Sequence, residues 1–195
     1  EASVEELAEL TFERAEKLYQ QGVTTIEVKS GYGLSVEQEF KMLKAIKLAN
    51  EKSRAELVPT CLAAHMKPKD FVGTEREYLQ HIVENLLPEV KKQNMAGRVD
   101  IFVEKGAFSI EDAKYYLHEA KKMGFDVVIH GDQFSNDCAA LAAEFDAVSI
   151  DHLEYADDEE IAILAKSNVI PVVLPGASLG LGERFAPARK LLDAG

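Results

Sequence analysis

Cysteine, proline and glycine are scarce in this chain of 195 residues, and each shortage excludes a class of protein. The two cysteines, Cys61 and Cys138, are too few for a disulfide framework, and Cys61 lies within an apolar run. We therefore expect a reduced, cytoplasmic chain. Twelve glycines, six prolines and the lack of low-complexity segments argue against a disordered protein.

Basic residues are also in the minority, with 22 Lys and Arg against 34 Asp and Glu, which gives a net charge of −12. Nucleic acid and anionic membranes require a basic face, so neither is expected as a partner. The apolar runs have the length of strands, and the first ten residues lack the basic and apolar regions of a signal peptide. With 47% hydrophobic residues, the composition predicts one domain over residues 1–195.

Short apolar runs alternate with helical patterns along the chain. Ser3 and Ser35 are predicted N-caps of the first two helices, and residues 23–29 form a predicted strand. The further strands are predicted at about 57–64, 99–103, 127–129, 147–150 and 169–174, and the further helices at about 75–94, 110–123, 139–145, 158–166 and 184–194. Because the strands are continuous apolar runs, the pattern predicts a parallel α/β sheet, either doubly wound or closed into a barrel.

The positions of the histidines favour a barrel over a doubly wound sheet. His65, His130 and His152 follow the second, fourth and fifth strands, whereas His81 and His118 lie within helices. No glycine-rich nucleotide motif follows a strand, which removes the best support for a doubly wound sheet. In a (β/α)8 barrel the carboxyl ends of the strands converge on one mouth. Six strand–helix units therefore predict a partial TIM-type (β/α)8 barrel.

The polar residues at these strand ends form a candidate site, although each has a simpler interpretation. His130, followed by Asp132 and Gln133, is a candidate metal ligand, but it also fits a hydrogen-bonded core histidine. Tyr32, between two glycines, is a candidate mouth residue or a packed turn tyrosine. One metal ligand is fewer than the three that catalytic zinc requires. Spacing alone thus predicts a barrel-mouth hydrolase or lyase of unknown chemistry.

The glycine-rich run at residues 175–182 has the composition of a phosphate cradle. It lacks the basic residue that such loops bring, so it is predicted to be a flexible loop.

Six motifs resemble imidazolonepropionase, the amidohydrolase-superfamily enzyme of histidine degradation. In order they are T-T-I-E-V-K-S-G-Y-G-L, A-A-H-M-K-P, D-I-F-V-E-K-G-A-F-S, I-H-G-D-Q-F-S, V-S-I-D-H-L-E and V-V-L-P-G. The resemblance implies a metal-dependent (β/α)8 barrel with a small β-sandwich. It also implies a small-molecule substrate, 4-imidazolone-5-propanoate, which is hydrolysed to N-formimidoyl-L-glutamate, and one zinc or iron ion.

The resemblance also assigns roles to individual residues. His130 matches the metal-ligand histidine, and His152 matches the catalytic histidine of the next strand. Gln133 matches a catalytic position that contacts the imidazolone ring. Tyr32 and His65 match residues that bind the substrate.

Several features of the family are missing from this sequence. The family's H-x-H metal ligands and substrate-binding arginine are expected upstream, and its last metal-ligand Asp downstream. A glycine pair is expected where Asp137 and Cys138 stand. The resemblance therefore implies a barrel that lacks its first and last strands and is inactive alone. Another amidohydrolase, such as a deaminase, and a non-catalytic fragment stay open, as does assembly into a homodimer.

Overall fold

The computed structural model describes residues 2–195, in which parallel strands alternate with helices. The strands are β1 (Thr25–Lys29), β2 (Glu56–Ala64), β3 (Arg98–Val103), β4 (Asp126–Gly131), β5 (Ser149–His152) and β6 (Ile170–Val172). The helices are α1 (Val4–Tyr19), α2 (Val36–Asn50), α3 (Glu75–Asn85), α4 (Leu87–Lys92), α5 (Ile110–Lys122), α6 (Cys138–Glu144), α7 (Asp158–Leu164), α8 (Pro175–Leu181) and α9 (Ala188–Ala194). The predicted domain begins at residue 1, which lies outside the described residues.

The strands pair in the order in which they occur in the sequence, and each neighbouring pair is parallel. Over residues 2–195 this order has no reversal, so the sheet lacks the switch point at which a doubly wound fold binds its ligand. Sequential order is that of a (β/α)8 barrel wall. The predicted partial barrel is confirmed as a six-stranded half-barrel within the described part of the chain.

The predicted helix starts are confirmed by their hydrogen bonds. Ser3 accepts the backbone N–H of Glu6, whose side chain in turn accepts the N–H of Ser3, and this pair is a capping box. The Ser35 hydroxyl accepts the N–H of Gln38 at the start of α2. These bonds satisfy donors that a helix leaves free in its first turn.

Two predicted elements differ in the structure because of proline. The helix predicted at 75–94 is divided at Leu86 into α3 and α4, and Pro88 lies in the first turn of α4. The helix predicted at 184–194 begins only after Pro187, as α9. Proline fits the first turn of a helix because its missing N–H has no partner there.

The prediction of a flexible loop at residues 175–182 is wrong. Pro175 begins α8, and Gly182 ends it in the left-handed region at φ 71°. Proline at the start and glycine just past the end are typical of a helix, and here they outweigh the glycine content of the segment.

The core lies between the sheet and the helices that cover it. Leu43 of α2, Leu117 of α5 and Ile129 of β4 are all fully buried within it. In the described residues, the helices fall short of the length and apolar character that a bilayer crossing needs. The core fixes the strands, and the strands fix the position of the polar residues at their ends.

Truncation of the core is expected to destabilise the fold. Leu117→Ala should lower the free energy of unfolding by about 2–5 kcal/mol, because it leaves a cavity beneath α5. Leu192→Ala is the matched control, since Leu192 is 74% exposed and its truncation should change that energy by less than about 0.5 kcal/mol. Urea unfolding followed by circular dichroism measures both, and equal effects would contradict the assigned core.

Candidate active site at the carboxyl ends of the strands

The structure places the predicted site residues along one edge of the sheet. Tyr32 follows β1 and His65 follows β2. His130 is the penultimate residue of β4, and His152 is the last residue of β5. Gln133 is buried in the segment that follows β4. Parallel strands bring their carboxyl ends together, which is why residues far apart in sequence share this edge.

An unbroken series of ring contacts joins four of these residues. The Tyr32 ring meets His65 edge-on at 5.0 Å between centroids, and the His130 and His152 rings are 5.3 Å apart. Phe102 of β3 connects the two pairs, 5.8 Å from His65 and 6.4 Å from His130. Sequence reasoning missed Phe102, because an apolar residue within a strand gives no local sign of a site. Its position follows from the register of the sheet, in which it pairs with His130. The rings line the edge from β1 to β5.

The loop that carries Tyr32 is held by a buried carboxylate. Glu39, in the first turns of α2, accepts the backbone N–H groups of Gly31, Gly33 and Leu34 at 2.7–2.9 Å. A Cβ at Gly33 would lie 2.6 Å from the Glu39 nitrogen, so only glycine fits so close to the helix. His65 Nδ1 lies 3.1 Å from the carbonyl oxygen of Gly31. Glu39 thus fixes the loop on which both Tyr32 and His65 depend.

A second buried carboxylate holds the segment after β4. Glu104 accepts the N–H of Phe134 at 2.8 Å and both the N–H and hydroxyl of Ser135, at 3.1 and 2.7 Å. Burial alone would raise the pKa of Glu104, but these hydrogen bonds lower it below its ordinary value. Gln133 immediately precedes this anchored dipeptide, so its backbone position is fixed.

Hydrogen bonds beyond the sheet tie the segments after β4 and β5 together. The N–H of Leu153 donates to the Gly131 carbonyl at 3.3 Å, and that of Tyr155 donates to Asp132 at 2.8 Å. Asp132, His152 and Leu153 all have positive φ, at 57°, 89° and 66°. Aspartate tolerates this region, but His152 and Leu153 are strained there, and strained backbone of this kind clusters at functional sites.

His152 faces the buried carboxylate of Glu154, and the two atoms that face each other have no hydrogen-bond partner. Its Nδ1 lies 3.5 Å from Oε2 of Glu154, and both atoms are buried without a hydrogen bond. The other oxygen of Glu154 accepts the Ser178 hydroxyl at 2.7 Å, which fixes the carboxylate. Burial, and then the neighbouring charge of His130, lower the pKa of His152, so its neutral form is favoured at neutral pH. A neutral imidazole can accept a proton.

A network of charged residues lies among the strands beside His130. Lys29 Nζ is 2.7 Å from Oδ2 of Asp100, 2.7 Å from Oδ2 of Asp151 and 3.3 Å from Glu27. Burial alone would lower the pKa of Lys29, but these carboxylates raise it above its ordinary value. The pKa of Asp100 is lowered in turn, because the charges of His130 and Lys29 outweigh its complete burial.

Three of these residues have the donors of a metal site. Ligand atoms of Asp100, His130 and Asp151 all lie within 4.8 Å of one another. His130 Nδ1 is 2.7 Å from Oδ2 of Asp100, but the pair is not aligned as a hydrogen bond, and Oδ1 of Asp100 is buried without one. Two carboxylates and an imidazole suit zinc, iron or manganese. These donor types therefore suit a divalent metal, but Lys29 Nζ already lies 2.7 Å from an oxygen of each carboxylate, which leaves His130 as the candidate ligand.

Two further buried acids, Asp132 after β4 and Glu160 of α7, bond to the start of α6. Burial and then the charge of Glu160 raise the pKa of Asp132 to about 8. Asp132 accepts the N–H of Cys138 at 3.0 Å, and Glu160 accepts that of Asp137 at 2.8 Å. Asp137 itself has φ 116°, a conformation that strongly favours glycine. The glycine pair expected from the family resemblance thus coincides with a glycine-type backbone.

The comparisons with known proteins follow the resemblance seen in the sequence. No protein-family model matches the chain. Over its whole length it is 40% identical to "Imidazolonepropionase" of Caldanaerobacter subterraneus subsp. tengcongensis, and 44% identical to those of Bacillus mycoides (strain KBAB4) and Bacillus cereus (strain AH187). It covers 47%, 46% and 46% of these relatives, so it spans about half of their length. The predicted resemblance to imidazolonepropionase is confirmed.

Solved structures support the fold. An adenine deaminase from Arthrobacter aurescens superposes with a TM-score of 0.73 at 15% identity, over 100% of this chain and 61% of that one. A zinc-bound adenosine deaminase from Xanthomonas campestris gives 0.66 at 16% identity, over 100% of this chain and 45% of that one. At such identities the likeness concerns the barrel alone, because one fold carries many chemistries.

The carboxylate of Glu39 is expected to stabilise the loop that follows β1. Glu39→Gln should lower the free energy of unfolding by about 1–3 kcal/mol, because an amide cannot accept from three N–H groups as a carboxylate does. Glu37→Gln on the exposed side of α2 removes the same charge and should have little effect. Urea unfolding compares the two, and equal stabilities would refute the anchoring role.

Relief of backbone strain is expected at the start of α6. Asp137→Gly should raise the free energy of unfolding by about 1 kcal/mol, because glycine adopts φ 116° without the penalty that a Cβ brings. Asp146→Gly is the control, since Asp146 at φ 44° lies near the left-handed region that aspartate tolerates. Thermal unfolding measures both, and a destabilised Asp137→Gly chain would speak against the strain.

Proposed function

We propose that this chain, similar to imidazolonepropionase over its full length, is the central part of such a hydrolase and lacks the first and last barrel strands. The reaction is hydrolysis of the ring amide of 4-imidazolone-5-propanoate to N-formimidoyl-L-glutamate. The observation that carries the proposal is the 40–44% identity over the whole chain, together with the alignment of Tyr32, His65, His130 and His152 on one edge.

The rings along the edge suit a planar heterocycle. Tyr32 is 79% exposed on a loop that Glu39 fixes, so its ring is available to a ligand without a large loop movement. His65 and Phe102 continue this surface toward His130, and aromatic rings pack well against a flat ring of similar size. Tyr32 and His65 therefore bind the substrate in this proposal, and Phe102 supports its ring.

In this proposal His130 would hold the metal, and strands outside this chain would supply the remaining ligands. A zinc or iron ion held there would supply Lewis acidity toward the ring carbonyl and toward water, as such ions do in hydrolases. Asp100 lies 2.7 Å from Nδ1 of His130, so Nε2 is the nitrogen that would be available to a metal. The half-barrel thus supplies one ligand and the residue that orients it.

His152 and Gln133 carry the proton transfer and the recognition of the ring. Burial lowers the pKa of His152 and so favours its neutral form, which would accept a proton from the attacking water and return it to the departing ring nitrogen. Glu154 faces Nδ1 of His152 and stabilises the imidazolium formed in between. Gln133 directly precedes Phe134 and Ser135, which Glu104 holds, and its amide offers both a donor and an acceptor to the ring.

The alternatives are less well supported. The deaminases that share the fold are only 15–16% identical, and their likeness extends to the barrel alone. An inert fragment does not account for unsatisfied buried polar atoms gathered at His130, His152 and Glu154.

A chimaera tests the proposal. Residues 2–195 replace the aligned segment of the Bacillus cereus relative, which supplies the remaining strands. We expect this protein to hydrolyse 4-imidazolone-5-propanoate. His130→Ala should reduce kcat/KM by roughly 1,000-fold or more, because several kcal/mol of metal-derived stabilisation are lost. His118→Ala, on the exposed side of α5, should leave kcat/KM unchanged.

Circular dichroism and metal analysis accompany the assay. A folded, metal-loaded chimaera that leaves the imidazolone intact, or that deaminates adenine instead, would overturn the proposal. If the chimaera does not fold, the two substitutions are made at the aligned positions of the relative itself. The substitution aligned with His130 should then reduce kcat/KM far more than the one aligned with His118.

A further inference from the structure

Lys29 occupies the space between two potential metal ligands. Its ammonium is 2.7 Å from Oδ2 of Asp100 and 2.7 Å from Oδ2 of Asp151, the two acids of the candidate metal group with His130. A cation bound to both oxygens would have to lie where the ammonium already is. Lys29 and such a cation therefore compete for one position.

The topology explains why these three side chains meet. Lys29, Asp100 and Asp151 are in β1, β3 and β5, which are alternate strands of the sheet. In a barrel of this type, side chains from alternate strands form one interior layer. This layer is charged rather than apolar, and His130 of β4 adjoins it through Asp100.

The charge of the layer shows that the lysine is required there. Glu27, Asp100 and Asp151 bring three carboxylates within 3.3 Å of one ammonium, and the Glu27 carboxylate is held by the Thr60 hydroxyl at 2.6 Å. Buried carboxylates persist as ions only beside a cation. Without Lys29 the layer would hold uncompensated negative charge, which a divalent ion would neutralise.

We propose that Lys29 takes the place of a metal ion between Asp100 and Asp151. It thereby keeps both carboxylates from coordinating the metal and leaves Asp100 to orient His130. Lys29 is a positioning residue, since it acts through Asp100 and touches neither substrate nor metal. The inference rests on the proposed role of His130, but its test needs no turnover.

Manganese binding to the full 195-residue chain tests the exclusion. Free Mn²⁺ is followed by its electron paramagnetic resonance signal, which is lost on binding. Lys29→Met should bind Mn²⁺ at least tenfold more tightly than the unaltered chain, because the two carboxylates are freed. Lys29→Arg, which keeps the positive charge, is the matched control and should bind as the unaltered chain does. The double substitution Lys29→Met, Asp151→Asn should lose the gain.

Equal Mn²⁺ affinity in the unaltered and Lys29→Met chains would overturn the proposal, as would a gain that survives Asp151→Asn. If Lys29→Met does not fold, the unaltered chain is tested with ¹⁵N-labelled lysine. The Lys29 Nζ resonance should then be unchanged by saturating Zn²⁺, and its disappearance or large shift would mean that the metal displaces the ammonium. Because neither measurement uses the imidazolone, failure here is distinct from failure of the proposed hydrolysis.

Discussion

The edge of this half-barrel depends on one kind of interaction, a buried carboxylate that accepts hydrogen bonds from the backbone of a loop. Glu39 holds the segment after β1, Glu104 holds the segment after β4, and Glu160 holds the start of α6. A loop packed against a sheet has backbone N–H groups that water cannot reach, and leaving them without partners is costly. Carboxylates supply several strong acceptors from one side chain. The rigidity of the candidate site therefore comes from residues that never face a ligand.

The sequence was sufficient to predict the elements whose signals are local. Ser3 and Ser35 cap helices, and His65, His130 and His152 mark strand ends, because capping and hydrophobic periodicity depend on neighbouring residues. The contacts among Lys29, Asp100 and Asp151 were not predictable, since they join residues 71 and 122 positions apart through the stagger of alternate strands. Phe102 was missed for the same reason. The α8 helix was mistaken for a loop because glycine content was weighed above its Pro175 and Gly182 boundaries.

Likeness of fold and likeness of chemistry separate clearly in this chain. The deaminases, at 15–16% identity, share the barrel wall with TM-scores of 0.66–0.73. The relatives at 40–44% identity share one name, imidazolonepropionase. The wall is set by apolar strands, which tolerate wide substitution, whereas the residues at the strand ends determine what is bound. In the proposed function, Tyr32 and Gln133 therefore determine what is bound more directly than the sheet that carries them.

The hydrogen bonds that continue past the ends of β4 and β5 have a mechanical consequence. The N–H groups of Leu153 and Tyr155 donate to the carbonyls of Gly131 and Asp132, so the two segments are joined at the carboxyl ends of the strands. A displacement of Gln133 would therefore be transmitted to His152 through these hydrogen bonds. In the proposed function, binding at Gln133 would therefore change the position of the His152 imidazole directly, without a hinge.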